Sequence, residues 1–259
     1  MLGRANAHVV AVLVVGGSAL LAPQLGVASS GGASPTGGGG RGVSPSSQPR
    51  STTSNGAVGR GDVMVRASGN GVTIAAREST FLRNKLRVTG SVSPAAVGRV
   101  VEIERSGHQT QGRWTPTTHA TIRRNGSFTA TWPTNHIGRF AIRAVIRAAK
   151  RSGARAASSS PAVTVTVYRP AIATLFGPGF YGQTTACGET LRKRTLGVAN
   201  RTLPCGTPVA IYYHGRTIQV PVIDRGPYAN HADWDLTEAT GRALGMNGTA
   251  TIGAVSVPR

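Results

Sequence analysis

The chain has 259 residues and a formal charge of +20, from 29 Lys and Arg against 9 Asp and Glu. Outside an N-terminal run it has no apolar stretch near the ~20 residues that a membrane-spanning helix needs, so the mature protein is expected to be soluble. Its two cysteines, Cys187 and Cys205, lie far from His214 and His231 and match no usual zinc spacing, so no metal ligands are expected.

The N-terminus reads as a secretory signal over residues 1–28. "MLGRANAH" carries one Arg, residues 9–22 form a short apolar region, and Gly26 and Ala28 offer small residues for cleavage. No Cys follows that region, so lipid attachment there is excluded, and no stable membrane insertion is expected after cleavage. Residues 29–62 are rich in Gly, Ser, Pro and Thr. They lack the apolar content that would offset the entropy of ordering, and they read as a flexible linker.

Residues 63–168 read as seven short strands: "VTIAA", "LRVTGSV", "RVVEIER", "WTPTTHATI", "SFTATWP", "RFAIRAVI" and "AVTVTVY". Several alternate with period two between turn residues, which predicts an antiparallel sandwich of immunoglobulin-like kind, without that fold's cysteine pair. From Val63 to Val167 there are sixteen Lys and Arg against Glu78, Glu102 and Glu104, a net +13. Part of this charge lies in "RAAKRSGARAASSSP", ahead of the last strand. Such a surface suits anionic polymers or serves solubility alone. For an exported protein the anions are wall polymers, lipids or acidic glycans, and nucleic acid is not expected.

Residues 169–259 carry five of the nine acids and a net +4. "IATLF", "LGVA", "PVAIYY", "RTIQVPVI" and "ATIGAVSV" are strand candidates, and "AIYYHGRTIQV" predicts a hairpin turning at His214-Gly215. Thr237 is placed to cap a short helix that starts at Glu238 and stops at Gly245. Mostly strands with one or two short helices predict a small closed barrel. In an exported chain the cysteine pair is expected to form a disulfide rather than a catalytic thiol.

Three aspartates crowd the stretch "VIDRGPYANHADWDL". Asp224 ends a strand before a turn, where it could simply accept backbone N–H bonds. Asp235 follows Trp234 and is not needed as a cap, since Thr237 fills that position. A carboxyl beside a bulky aromatic should have its charged form disfavoured, as a general acid requires. His231 and Asp233 lie between the two and read as solvated.

The ordered blocks "GPGFYGQTTACGETL", "TLGVANRTLPCGTPVAI", "VPVIDRGPY" and "WDLTEATGRALGM" resemble rare lipoprotein A-like (RlpA-like) proteins. The resemblance implies a mainly β chain ending in a six-stranded double-psi β-barrel over 169–259, related to that of expansins. It implies a secreted, cell-wall-associated protein acting on peptidoglycan glycan strands, without a cofactor and as a monomer. Asp235 then corresponds to the proposed catalytic acid, Asp224 to its partner, Thr174 to a residue facing the acid and Glu189 to an assisting acid. Tyr181 and Tyr228 could stack on sugar rings. Asn200 departs from the family pattern, which has His at this place, and Asn cannot shuttle a proton. Two readings follow: a lytic transglycosylase, or a wall-binding and wall-loosening module of expansin type that does not cleave.

Overall fold

The computed structural model describes residues 56–93, 96–147, 158–229 and 231–257. The expected signal peptide, most of the linker and the centre of the basic loop after Arg147 lie outside the described residues.

Sixteen strands and one α-helix follow in chain order: β1 (Gly59–Arg60), β2 (Met64–Gly69), β3 (Val72–Arg77), β4 (Ser79–Phe81), β5 (Lys85–Val92), β6 (Val100–Gly107), β7 (Thr115–Thr121), β8 (Ser127–Pro133) and β9 (Gly138–Ile146). Then come β10 (Ser158–Ser159), β11 (Val163–Phe176), β12 (Val198–Ala199), β13 (Pro208–Tyr213), β14 (Arg216–Asp224), β15 (Trp234–Thr237), α1 (Glu238–Leu244) and β16 (Ala250–Ser256).

The first half is the expected sandwich. One sheet runs β2-β3-β5-β8; the other packs β11 against β9, β6 and β7, with β4 parallel to β11. Two facing sheets share one core. Period-two alternation drives it, because each strand sends every second residue inward. Ile74, Val88, Ile103, Phe128, Ile142 and Val165 fill the space between the sheets. Trp132 meets Phe140 edge-on at 5.6 Å between ring centroids, the arrangement that aromatic quadrupoles favour.

The second half is a closed barrel of six strands in the order β15-β12-β14-β13-β16-β11, with β11 pairing back to β15. Closure removes the exposed edges that a six-stranded sheet would otherwise carry. Ile218, Val220 and Val222 alternate into its core, as their spacing predicts, and meet Ile211, Leu236 and Ile252. The β13–β14 hairpin turns at His214 and Gly215, both at positive φ, and helix α1 is capped by Thr237 and stopped by Gly245 at φ 78°.

Two features depart from the sequence reading. The last sandwich strand and the first barrel strand are one. Strand β11 pairs with β9 over Val163–Val167, with β16 over Arg169–Ala173 and with β15 over Ala173–Phe176. Around this crossing Phe81, Tyr168 and Tyr212 pack together, with Phe81 edge-on to Tyr212 at 5.3 Å. Arg139 adds a 3.0 Å hydrogen bond to Gln219. The linker also ends earlier than Asp62. Gly59 and Arg60 pair with Thr217 and Arg216, and Asp62 accepts a 2.9 Å hydrogen bond from the Tyr212 hydroxyl. The reason is that the start of β14 is left open on that side by the short β12, and backbone groups alone can pair with it.

Candidate active site

The site is assembled by three adjacent barrel strands. Ala199 on β12 stands opposite Asp224 of β14 on one side and opposite Asp235 of β15 on the other. The small Ala199 side chain therefore separates the two carboxylates across two strand gaps. On the far side of β15, Thr174 of β11 stands opposite Asp235 and donates a 2.9 Å hydrogen bond from Oγ1 to its Oδ1. The neighbours Val198, Val222 and Leu236 point into the core, which fixes the strands that carry the acids.

The carboxyls are treated differently. Burial raises the pKa of Asp235 above the ordinary aspartate value. The Thr174 hydrogen bond opposes that rise, and the nearby Asp224 charge adds to it. Asp224 is tied down by backbone donors: its Oδ1 accepts from the N–H of Ala186 at 2.9 Å and of Arg225 at 2.8 Å. The anchoring role that its sequence position suggests is thus present, and it joins the disulfide loop to β14. Cys187 and Cys205 form the expected disulfide, with a Cα–Cα distance of 5.6 Å.

A direct check on this electrostatic picture is Thr174→Val. It removes a hydrogen bond that favours the charged form, so the Asp235 pKa should rise further, as followed by carbon-13 NMR of the carboxyl. An unchanged value would mean that Thr174 does not tune this group.

The other expected residues fall in varied places. Glu189 is exposed on the disulfide loop, where its backbone brackets Thr185 and its side chain makes no hydrogen bond or ion pair among the described residues. The side-chain oxygen of Asn200 accepts from the N–H groups of Thr202 and Leu203 at 3.1 and 2.9 Å, closing a turn beside the site. The Tyr181 hydroxyl donates to Glu238 and so braces the loop after β11 against the start of α1. That bond, more than burial, raises the Tyr181 pKa. Tyr228 is 79% exposed and available as a stacking surface. Asp233, read as solvated, accepts from the N–H of Ile172 at 3.1 Å and extends the β11–β15 pairing. Among the described residues no group of three His, Cys, Asp or Glu is placed to hold a metal ion, and no helix is long and apolar enough to cross a membrane.

Three residues were not singled out from sequence. Arg201 donates from Nη1 to the carbonyls of Pro227 and Ala232, at 2.7 and 2.9 Å, and pins both ends of the loop between the aspartates. Arg225 reaches the Asn200 carbonyl and the Cys205 sulfur. Phe180, next to Tyr181, leaves its ring 53% exposed. In so arginine-rich a chain, nothing local marks two arginines as struts.

The C-terminal residues are similar in sequence to known proteins. A family model described as "Lytic transglycolase" matches residues 171–257. Over 96 residues the chain is 36% identical to the probable endolytic peptidoglycan transglycosylase RlpA of Synechocystis sp., covering 36% of this chain and 30% of that protein. Over 85 residues it is 36% identical to the endolytic peptidoglycan transglycosylase RlpA of Campylobacter jejuni, covering 31% of each. Among solved structures, a Streptomyces papain inhibitor is 28% identical over 33% of this chain and 92% of that one, at a TM-score of 0.25. Closed six-stranded topology and family match together define the C-terminal region as a double-psi β-barrel. More narrowly, residues 171–257 are an RlpA-like domain. The chain spans about a third of the length of these curated relatives.

Proposed function

We propose that the barrel acts on peptidoglycan glycan strands as a lytic transglycosylase. The observation that carries this reading is the Asp235 carboxyl, half-buried, with a raised pKa, held by Thr174 and set across Ala199 from Asp224. The names of the relatives support the substrate class. In this reading protonated Asp235 donates its proton to the glycosidic oxygen as the bond to the muramic acid C1 breaks. The 6-hydroxyl of the same muramic acid then bonds to C1, and its proton returns to the Asp235 carboxylate. No water is consumed, the product ends in 1,6-anhydro-muramic acid, and one acid/base group suffices where hydrolysis normally needs two. The Asp224 charge disfavours early ionisation of Asp235. Glu189, by its correspondence to the family's assisting acid, and the exposed ring of Tyr228 are the further groups that meet the strand in this reading. Residues 1–28 direct export, and the protein works as a monomer at the wall.

Asn200 favours a second reading, a non-catalytic expansin-like module that binds the same strand. Its oxygen is committed to the turn at residues 200–203, and it offers no group that exchanges a proton near neutral pH. Purified full-length protein incubated with peptide-bearing and denuded glycan strands separates the two. Anhydro-ended fragments, detected by mass, are expected, and Asn200→His should raise their rate of release. Binding without any such fragment would leave the expansin-like reading in place.

A further inference from the structure

The outer face of the sheet β2-β3-β5-β8 carries a charge pattern that the barrel site does not use. Register sets Met64 opposite Arg77, and Arg66 opposite Ala75. Ala76 pairs with Val88, so the next step places Arg77 beside Arg87, with Lys85 two residues further along the same strand. Neighbours across a strand gap have their β-carbons about 5 Å apart. Arg66, Arg77, Lys85 and Arg87 are all exposed, and the strand residues on this face include no carboxylate and no aromatic ring. Between and beyond them stand hydroxyls, among them Ser68, Thr73, Thr89 and Thr131.

The opposite sheet shows how this chain treats cations that serve the fold. There Glu104 is buried and takes Arg143 at 2.8 Å and Arg147 at 3.3 Å, and Arg147 also pairs with Glu102. The four cations of the outer face have no hydrogen bond or ion pair among the described residues. Toward the barrel the face runs into a cleft of about 540 Å³ lined by Arg77, Lys85, Arg87 and Met64, with Phe81 and Tyr212 also on its wall. Its one carboxylate, Asp62, accepts the Tyr212 hydroxyl.

We propose that this face and cleft bind a linear polyanion whose charges are phosphodiesters joining hydroxylated units, a polyol or sugar phosphate. Guanidinium forks match phosphate oxygens in pairs, and a row of Ser and Thr can bond the hydroxyls between charges. Single-stranded nucleic acid relies on a series of aromatic platforms, whereas the rings of this site, Phe81 and Tyr212, lie only in the cleft and pack against each other and Tyr168. The proposal locates the adhesion expected from the charge of the sandwich and does not depend on turnover in the barrel.

The test is titration of the full-length chain with poly(glycerol phosphate) at low and high salt. Polygalacturonate and an oligodeoxythymidylate serve as separate probes. Arg77→Gln with Arg87→Gln should weaken binding of the phosphate polymer about ten-fold. It should also lower the dependence on salt by roughly one unit of log slope per lost contact. Arg123→Gln with Arg124→Gln, an equal loss of charge at the turn between β7 and β8, should change it less than about two-fold. Asp235→Asn should leave it unchanged, and thermal unfolding confirms that each variant is folded. Equal losses in both double variants would overturn the proposal. So would tighter binding of either alternative probe, or no binding of the phosphate polymer by the unaltered chain.

Discussion

Replacing Asp235 with asparagine should abolish release of anhydro-ended fragments and, at neutral pH, raise the melting temperature. The first effect follows from the role proposed for the group. Asparagine keeps the size of the side chain and can still accept the Thr174 hydroxyl, but it has no proton to give. General acid–base catalysis contributes roughly 10²- to 10⁴-fold, so the rate should fall by about that factor while glycan binding persists. The second effect follows from linkage. Burial raises the Asp235 pKa in the folded protein, so the fold holds that proton more tightly than the unfolded chain does. Stability associated with Asp235 is therefore highest at low pH. It falls as pH climbs from the unfolded value through the folded one, and stays lower above it. The variant escapes this loss, so its advantage should appear near pH 7 and vanish in acid, where Asp235 is protonated in both states. Loss of activity together with loss of stability at pH 7 would mean that asparagine disrupts the site, and would remove the argument for a strained acid.

The second large effect concerns the disulfide. Changing both Cys187 and Cys205 to Ser frees a loop of about eighteen residues in the unfolded chain. A closed loop of that size is worth about 3 kcal/mol on chain-entropy grounds. In a cooperative unit of about 200 residues each kcal/mol moves the midpoint by roughly 2–4 °C, so the melting temperature should drop about 6–12 °C. The same loop carries the Ala186 N–H that holds Asp224, so activity should fall as well, more in kcat than in KM. A melting curve that does not respond to reductant or to the double substitution would show that the bond adds nothing to the fold.

Much of this was legible in the residues. Alternation in β3, β5, β6, β8 and β9 marked a sandwich, and the triplet Ile218, Val220, Val222 marked the barrel face. Both signals are strong because a slip of one residue would put every apolar side chain in water. The Asp224–Asp235 pairing could be anticipated from the ordered motif blocks, but the source of the Asp235 burial could not: Trp234, its neighbour on β15, packs with Leu236 on the core side, and successive strand residues face opposite ways. Strand β2 was missed, although Asn70-Gly71 is a hairpin signal, because Arg66 and Ser68 make its exposed half look like linker. The fusion of two strands into β11 was hidden by Arg169-Pro170, which reads as a break. Pro170 needs no donor where it stands opposite Gly253, and the strand continues through it. Asn200 was noticed as a departure, yet its engagement in a turn depends on where Leu203 comes to lie. The struts Arg201 and Arg225 act on backbone carbonyls, whose positions no side-chain pattern encodes.

The continuous strand β11 makes the two halves a single mechanical body. In many two-domain chains a hinge lets one half anchor while the other searches. Here the outer sheet face and the aspartate pair keep a fixed offset, like two marks on one rule. The distance between the two is set by the fold and not by motion about a hinge. The same continuity forbids sliding. One residue inserted between Tyr168 and Ala171 would turn every later side chain of β11 to the opposite face, taking Thr174 away from Asp235 and Ala173 out of the barrel core.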